Sequence, residues 1–474
     1  MFKRVPFSLG DLIDHQWGTD DSLTGVSNPT RETFTNVLIG DAGGSMFDFS
    51  KGGDDTFFGG FFNVINTVFG DAHGNMSDHS KGGDDTFWGG GSLPSAPPGQ
   101  SPINTFYGDA GDSMSGCGKG GDDTFIGGAF ANNIFYGDAG SSMSGRSKGG
   151  NDTFTAAEFF AQNLFYGDVA GNISGHSKAG NDSFTGGSIS GNTFYGDAGG
   201  SMSGHSKGGN DTFTGGTNNS VNTFYGDAGG NVSDHSKGGD DTFTVLATSG
   251  VVNIFYGDAG GDMSRHANGG NDSFAASGSA SNNVTGDALT MSDHAVGGND
   301  DLTCGNTSGG GENILRGDAF AMSDFAHGGN DVLKGGSNSG SGQLENFLYG
   351  DALTLSGSST GGRDILHAGT AAPGGTVSNE MWGDGLLSGR AEGGKDQFVF
   401  KDDGLMTVGT QNTIEDFSQC QHDQIRFIDV AGVQSFTDLV ITQSGTDTVI
   451  NAGQDQVTLH NFLGALTEKD FLFA

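Results

Sequence analysis

One pattern of about thirty residues recurs along most of this chain, and no other feature constrains its fold so strongly. The stretches NTFYGDAGGSMSGHSKGGNDTFTGG (192–216) and NTFYGDAGGNVSDHSKGGDDTFT (222–244) show two successive copies. Each copy contains a Gly-Asp pair followed by a Gly-Gly-(Asn/Asp)-Asp motif, and the Gly-Asp pairs recur in steps of mostly 29 to 31 residues. A fixed period of this length predicts stacked structural repeats, each of which covers the core of its neighbour.

Both aspartates are present in each of twelve repeats. The aspartates of the first motif, here called the Gly-Asp column, are Asp41, Asp71, Asp109, Asp138, Asp168, Asp197, Asp227, Asp258, Asp287, Asp318, Asp351 and Asp384. The aspartates of the second motif, here called the Gly-Gly-x-Asp column, are Asp55, Asp85, Asp123, Asp152, Asp182, Asp211, Asp241, Asp272, Asp300, Asp331, Asp364 and Asp396.

Short apolar segments separated by glycine-rich turns predict strands in each repeat. Phe213, Phe224 and Val232 are spaced by 11 and 8 residues, and small or polar residues flank each of them. Such spacing is not helical, and the 90 glycines of the chain would destabilise helices. With 33% hydrophobic residues but 37 phenylalanines, the composition favours a thin core that is rebuilt in every repeat.

Stacking the repeats places equivalent apolar residues above one another in three columns. The first is Phe57, Phe87, Phe125, Phe154, Phe184, Phe213, Phe243 and Phe274; the second is Phe106, Phe135, Phe165, Phe194, Phe224 and Phe255; the third is Met46, Met76, Met114, Met143, Met202, Met263, Met291 and Met322. The predicted fold is therefore an all-β parallel β-solenoid with a small C-terminal β capping domain. We expect an N-terminal cap over 1–34, the solenoid over 35–400 and the capping domain over 401–474.

The acidic columns predict bound cations. The chain has 57 acidic and 20 basic residues and a net charge of −37, so we expect it to repel nucleic acid. Aspartates at one position of successive coils would lie roughly 4.8 Å apart, which is costly without counter-ions. Carboxylate and carbonyl oxygens favour several calcium ions over zinc or magnesium. The alternative is that these aspartates only form turns.

The motifs GGNDTFTGG and FYGDAGG resemble the calcium-binding nonapeptide of RTX (repeats-in-toxin) proteins, which the type I pathway secretes. The resemblance implies an RTX-like β-roll in which the aspartates of both columns bind Ca²⁺ together with carbonyl groups such as those of Gly208 and Gly209. The apolar spacing differs from a steady nine residues. One repeat could therefore form one three-sided coil or one and a half turns of a two-sided roll, and the number of ions per repeat stays open.

The C-terminal segments DQFVFKDDG, NTIEDFSQCQHDQIRFIDV and KDFLFA resemble the end domain of type I secreted RTX proteins. Their alternating residues predict short antiparallel strands that close the last coil. The resemblance implies that this region carries an uncleaved export signal. The start of the chain shows no apolar signal segment, and there is no run of 18 apolar residues. We therefore expect an extracellular or cell-surface protein whose partners are calcium ions and the type I secretion machinery.

No catalytic motif is present, so we expect a structural or adhesive component of a surface or biofilm matrix, not an enzyme. The alternative is a carbohydrate-binding or polysaccharide-modifying protein on the same solenoid, with a cleft near the proline-rich loop (89–102) or around 356–380. The seven tyrosines before Gly-Asp predict an outward stripe, either self-stacking or a platform for sugar or a second copy. The repeated histidines, such as His205 and His235, are expected to be structural or solvent-facing. Ice binding by threonines is the weakest alternative.

Overall fold

The computed structural model describes residues 3–4, 10–28, 33–93, 101–402, 407–453 and 455–474. The described chain divides into two compact units. Unit 1 comprises residues 1–243 and 258–261, and unit 2 comprises residues 244–257 and 262–474. Each is an all-β parallel β-solenoid. Half of the predicted proline-rich loop, residues 94–100, lies outside the described residues. No helix among the described residues has the length and apolar character needed to cross a membrane.

One sequence repeat forms one coil of unit 1. Phe154 pairs in parallel with Phe184, and Tyr166 pairs with Tyr195, so equivalent residues one repeat apart are neighbours. The number of residues per coil, which the sequence left open, is therefore one repeat. Each coil has a long strand, three single-residue β-bridges, as at Ala72, Met76 and Lys81, and a short strand. The long strands are Phe34–Ile39, Val64–Phe69, Ile103–Tyr107, Asn132–Tyr136, Gln162–Tyr166, Gly191–Tyr195 and Val221–Tyr225.

The first short strand, Ser22–Thr24, lies within residues 1–34, which we expected to form an N-terminal cap. Residues 10–28 follow the coil pattern, because Leu12 and Trp17 form bridges to Met46 and Lys51. The short strands of unit 1 are Ser22–Thr24, Thr56–Phe58, Thr86–Trp88, Thr124–Ile126, Thr153–Thr155, Ser183–Thr185 and Thr212–Thr214, and Lys3–Arg4 pairs with the first long strand. The strands Thr242–Tyr256 and Ala259–Met263 contain the unit boundaries.

Unit 2 repeats the same coil, and several of its strands are longer. Its solenoid strands are Ser273–Thr285, Ala288–Met291, Asp301–Cys304, Gly311–Arg316, Ala319–Met322, Val332–Lys334, Gln343–Tyr349, Ala352–Leu355, Ile365–His367, Thr370–Ala371, Thr376–Trp382 and Leu386–Leu387. The region 356–380, considered above for a cleft, forms regular coil strands.

The predicted core columns are confirmed. Every phenylalanine and methionine of the three columns is at most 1% exposed. Along unit 1 the rings stack between coils, with centroids 5.0 Å apart for Phe57 and Phe87 and 4.8 Å apart for Phe125 and Phe154. Because a single coil cannot enclose its own phenylalanines, each coil depends on its neighbours for burial.

The C-terminal segment is only partly antiparallel, which corrects the sequence expectation. Its strands are Gln397–Lys401, Thr407–Val408, Gln411–Ile414, Gln424–Ile428, Leu439–Ser444, Asp447–Ala452, Asp455–Leu459 and Phe471–Phe473, with 3₁₀ turns at Phe436–Asp438 and Glu468–Asp470. The strands over 397–401, 424–428 and 471–473 pair in parallel and extend the short-strand column. Residues 439–459 form an antiparallel meander, and Thr407–Val408 pairs antiparallel with Thr370–Ala371. The alternating pattern sets which face is buried, not the direction of pairing.

Candidate metal centre

The Gly-Asp column caps backbone N–H groups within its own coil. Carboxylates of this column accept a hydrogen bond from a glycine ten to twelve residues later, as in Gly150 N to Asp138 (2.9 Å) and Gly209 N to Asp197 (3.1 Å). These aspartates are buried, with Asp138 and Asp197 both 0% exposed. The side chains therefore hold the turn between the two motifs, as turn chemistry alone would predict.

The Gly-Gly-x-Asp column links successive coils. The backbone N–H of Asp152 donates to Oδ1 of Asp182 at 2.6 Å, and the N–H of Asp182 donates to Oδ1 of Asp211 at 2.6 Å. The same bond recurs in unit 2, where the N–H of Asp300 donates to Asp331 at 2.7 Å. One oxygen of each carboxylate thus replaces a backbone acceptor between coils.

The other oxygen of these carboxylates, and one oxygen of some Gly-Asp carboxylates, is buried and receives no hydrogen bond from any described N–H or O–H group. This holds for Oδ2 of Asp55, Asp85, Asp123, Asp138, Asp152, Asp182, Asp211, Asp227, Asp318, Asp331, Asp351, Asp364 and Asp396. A buried ionised oxygen without a partner is strongly unfavourable. Turn formation explains one oxygen of each of these aspartates and leaves the second without a favourable interaction. In the Gly-Asp column Asp168 and Asp197 differ, because both of their carboxylate oxygens accept the N–H of a glycine.

Burial raises the pKa of these carboxyl groups. It brings the pKa of Asp197 to about 7 and that of Asp55 to about 8. The pKa of Asp182 and Asp152 is raised well above the usual range, by burial first and then by the charges of neighbouring aspartates. The columns can therefore remain buried at neutral pH only if protons or cations neutralise them.

Three carboxylates of unit 1 converge most closely. Asp168, Asp182 and Asp197 each offer an oxygen, and these oxygens lie within 4.8 Å of one another. Oδ2 of Asp182 and the carbonyl oxygen of Gly196 both approach Gly167, at 2.0 and 1.6 Å from an ideal Cβ built there. Only a glycine leaves room for these oxygens. Several carboxylate oxygens with a carbonyl nearby form a donor set that suits calcium.

The same coil carries an alanine in place of the first motif glycine. Ala179 corresponds to Gly208 of the next coil, where an ideal Cβ would lie 1.5 Å from Oδ1 of Asp227. A real methyl group cannot stand so close to a carboxylate. The presence of Ala179 therefore shows that this position of the repeat accepts a methyl group once the facing carboxylate is displaced.

The two glycines singled out by the RTX resemblance have different surroundings. Gly208 lies against carboxylate oxygens of both Asp227 and Asp197, at 1.5 and 2.9 Å from its ideal Cβ. The N–H of Gly209 donates to Asp197, and the ideal Cβ of Gly209 lies 1.5 Å from the carbonyl oxygen of Gly180. Both glycines border the Gly-Asp column, and their role as carbonyl ligands stays a prediction.

Sequence reasoning missed a column of buried asparagines within the long strands, one in each coil. Asn192 donates to the Gly187 carbonyl (3.0 Å) and to Oδ1 of Asn222 (2.9 Å), while its own Oδ1 accepts from Asn163 (2.9 Å) and from the N–H of Gly187 (3.2 Å). The column comprises Asn36, Asn66, Asn104, Asn133, Asn163, Asn192 and Asn222 in unit 1, and Asn253, Asn282, Asn313, Asn346, Asn379 and Asn412 in unit 2. An invariant asparagine two residues before the second phenylalanine was the available signal.

Two further aspartates terminate the acidic columns. Asp416 accepts hydrogen bonds from the N–H groups of Gly383, Asp384 and Gly385. Asp423 accepts from the N–H of Asp396 at 3.1 Å. Burial raises the pKa of both Asp416 and Asp423 to about 7. They lie beyond the last repeat that the motifs define, which is why the pattern search did not include them.

The tyrosines form a stack that is half-buried. Ring centroids of Tyr136 and Tyr166 are 5.1 Å apart and those of Tyr166 and Tyr195 are 5.0 Å apart. The ring of Tyr195 covers Gly229 of the next coil, approaching an ideal Cβ to 2.4 Å. Because each ring lies against its neighbours, the self-stacking interpretation fits these contacts better than an open platform. Tyr349 is buried, at 8% exposed.

The repeated histidines also stack, at exposed turns. His205 and His235 have centroids 5.1 Å apart, and Phe49 stacks on His79 at 4.7 Å. His205 and His235 have positive φ angles of 76° and 65°, which a tight turn requires. Their surroundings agree with a structural and solvent-facing role.

Comparison with family models, with curated proteins and with solved structures gave no significant match. The fold and the site together define a parallel β-solenoid with two buried carboxylate columns. The likeness to RTX proteins rests on the motif residues.

Proposed function

We propose that this chain is a secreted, calcium-binding RTX-like repeat protein that folds when calcium binds outside the cell. The observation that carries the proposal is the row of buried Oδ2 atoms without a hydrogen-bond donor in the Gly-Gly-x-Asp column. One of them, Oδ2 of Asp182, belongs to a carboxylate that converges with those of Asp168 and Asp197. A divalent cation between coils would neutralise two carboxylates at once and supply the missing interaction. The residues that would hold the ions are the aspartates of both columns.

Folding and calcium binding would then be one equilibrium. Where calcium is scarce, repulsion between the aspartates keeps the chain unfolded and able to pass through a type I secretion channel. Where calcium is abundant, binding to the folded state alone contributes its free energy to folding. The repetition supports a structural or adhesive role in a surface layer or biofilm matrix, without enzymatic activity, because the acidic pairs recur from coil to coil.

The first test is far-UV circular dichroism in chelator, followed by titration with calcium and, separately, magnesium. We expect a coil spectrum that changes cooperatively to β with calcium and not with magnesium. A β spectrum that persists in chelator at neutral pH would contradict the proposal, because the columns would then be neutralised without metal.

A second test separates the buried aspartates from exposed ones. In the test variant Asp168, Asp182 and Asp197 are replaced by asparagine. In the matched control the exposed Asp54, Asp84 and Asp122 are replaced, since asparagine occupies the equivalent positions of other coils. Equilibrium dialysis should show fewer calcium ions bound by the first variant and an unchanged number bound by the control. Equal numbers in both variants would rule out this cluster as a calcium site.

A further inference from the structure

A row of lysines runs along unit 1, one in each of seven successive coils. The lysine stripe comprises Lys51, Lys81, Lys119, Lys148, Lys178, Lys207 and Lys237, and each forms a parallel β-bridge with the next. All but Lys51, which is half-buried, are exposed. The stripe contains seven of the 20 basic residues in a chain of net charge −37. Cations are therefore concentrated on one line of an otherwise acidic protein.

The stripe has no ion-pair partner within the described chain. The ion pairs there involve His15, Lys334 and His460, and no stripe lysine. Neighbouring coils are roughly 4.8 Å apart, so the lysine stems start side by side and their charges repel one another. This arrangement costs free energy in the isolated protein.

The coil does not require lysine at this position. In unit 2 the equivalent bridge positions carry Asn268, Val296, His327, Thr360 and Glu392, and the same parallel bridges form. A neutral residue would therefore fold as well without the repulsion. The stripe is explained better by a partner than by the fold.

The surroundings of the stripe are neutral at its centre. Three residues after each lysine lies an exposed Asp or Asn, whose side-chain oxygen accepts the backbone N–H of its equivalent in the next coil. Oδ1 of Asp122 accepts the N–H of Asn151 (2.8 Å), and Oδ1 of Asn151 accepts the N–H of Asn181 (2.9 Å), so either residue type makes this bond. The members beside Lys148, Lys178 and Lys207 are Asn151, Asn181 and Asn210, whereas Asp54, Asp84, Asp122 and Asp240 accompany the other lysines.

The turn before the stripe follows the same trend. Gly145, Gly175 and Gly204 stand before the central lysines, where Asp48, Asp78 and Asp234 stand near the ends. Arg146 adds an exposed cation beside Lys148. The central three coils thus present basic groups with no acidic side chain in either adjoining column.

We propose that the lysine stripe, centred on Lys148, Lys178 and Lys207, binds a linear acidic polysaccharide that carries a carboxylate on each sugar ring. A straight row one residue wide fits an extended polymer better than a planar lipid surface, which would contact a broad patch. Nucleic acid, with a phosphate about every 3.4 Å of each strand, is repelled more strongly by the acidic remainder of the chain. At physiological salt the screening length is about 8 Å, so distant aspartates weaken the binding of a sparsely charged polymer little. The buried carboxylates next to the stripe, such as Asp168 beside Gly149, are neutralised in the folded state by protons or by cations. The proposal therefore requires the folded chain but not calcium in particular.

The test measures binding of sodium oligogalacturonate, long enough to span the central coils, to the full chain at one fixed calcium concentration at which the circular dichroism spectrum is β. In the test variant Lys148, Lys178 and Lys207 are replaced by glutamine. In the matched control the exposed Lys395, Lys401 and Lys469 are replaced, which changes the net charge equally. We expect the test variant to bind roughly tenfold more weakly and the control to bind as the parent does, within about twofold.

A second variant keeps every lysine and changes only its neighbours. Asn151→Asp, Asn181→Asp and Asn210→Asp together introduce the acidic residues that sister coils already tolerate, so the fold should persist, and binding should weaken by a similar factor. Affinity for the parent should also fall as sodium chloride is raised. Equal losses in the stripe variant and the lysine control, or no binding by the folded parent, would overturn the proposal. Tighter binding of oligothymidylate or of anionic vesicles than of oligogalacturonate would overturn the choice of partner.

Discussion

Two adjacent glycines of one motif should respond oppositely to the same substitution. An alanine at Gly209 would place Cβ 1.5 Å from the carbonyl oxygen of Gly180, which belongs to the backbone of the preceding coil. An alanine at Gly208 would place Cβ equally close to Oδ1 of Asp227, which is the end of a side chain. The first contact can be relieved only by separating two coils, whereas the second requires a carboxylate to rotate.

The magnitudes follow from these contacts. Restoring van der Waals distance at Gly209 means opening the coils locally by about 2 Å, which would break the bonds from Thr212 N to Asp182 O (2.8 Å) and from Lys207 N to Ser177 O (3.1 Å). With about 1 kcal/mol for each bond and 1–3 kcal/mol for overpacking, Gly209→Ala should cost roughly 3–5 kcal/mol. Gly208→Ala should cost less than about 1 kcal/mol, since Ala179 already occupies the equivalent position.

The assay is urea unfolding of both variants and the parent in calcium-saturated buffer, followed by circular dichroism. Neither glycine has a positive φ angle, so backbone strain does not distinguish the two variants. Equal shifts of the two unfolding midpoints would refute the reasoning, because it depends entirely on the difference between a backbone atom and a mobile carboxylate.

The remaining predictions concern the asparagine column and the acidic columns. Asn192→Leu should lower the free energy of unfolding by roughly 3 kcal/mol, because it leaves the amides of neighbouring coils without partners. Thr193→Leu is the control and should be neutral in the same urea assay, since Leu164 occupies that position one coil earlier. In chelator, burial raises the folded-state pKa of Asp318 to about 6, of Asp197 to about 7 and of Asp55 to about 8, above the roughly 3.9 of an unfolded aspartate. The folded state then binds more protons, so the metal-free protein should be most stable below about pH 4 and lose stability as the pH rises to about 8. Unfolding midpoints that increase over this range would contradict the sign.

Much of the fold could be predicted because the repeat samples the same environment many times. The inward phenylalanines, such as Phe154 and Phe184, recur at one spacing, and only strands stacked in register bury them all. The C-terminal segment occurs once. Its alternation predicted strands, but the parallel pairing of 424–428 with 471–473 depends on which neighbouring edge is available.

The residues of the candidate site could be predicted from the sequence, but the arrangement of their oxygen atoms could not. Repetition identified Asp182 and Asp197, and their charge implied a cation. Which oxygen would face the ion became visible only in the fold, where Oδ1 of Asp182 accepts an N–H from the neighbouring coil and Oδ2 does not.

The sequence by itself determined the period, the strand-forming residues and the residues that every coil must bury, since these follow from spacing and from the energetics of burying apolar and charged groups. Only the tertiary structure decided that one repeat is one coil. It also decided that Asn192 is a buried link, and that Lys178 lies beside Lys148 and Lys207. The reason is physical: these relations join residues about thirty positions apart, and their distance is set by the rise between coils, which no local pattern specifies.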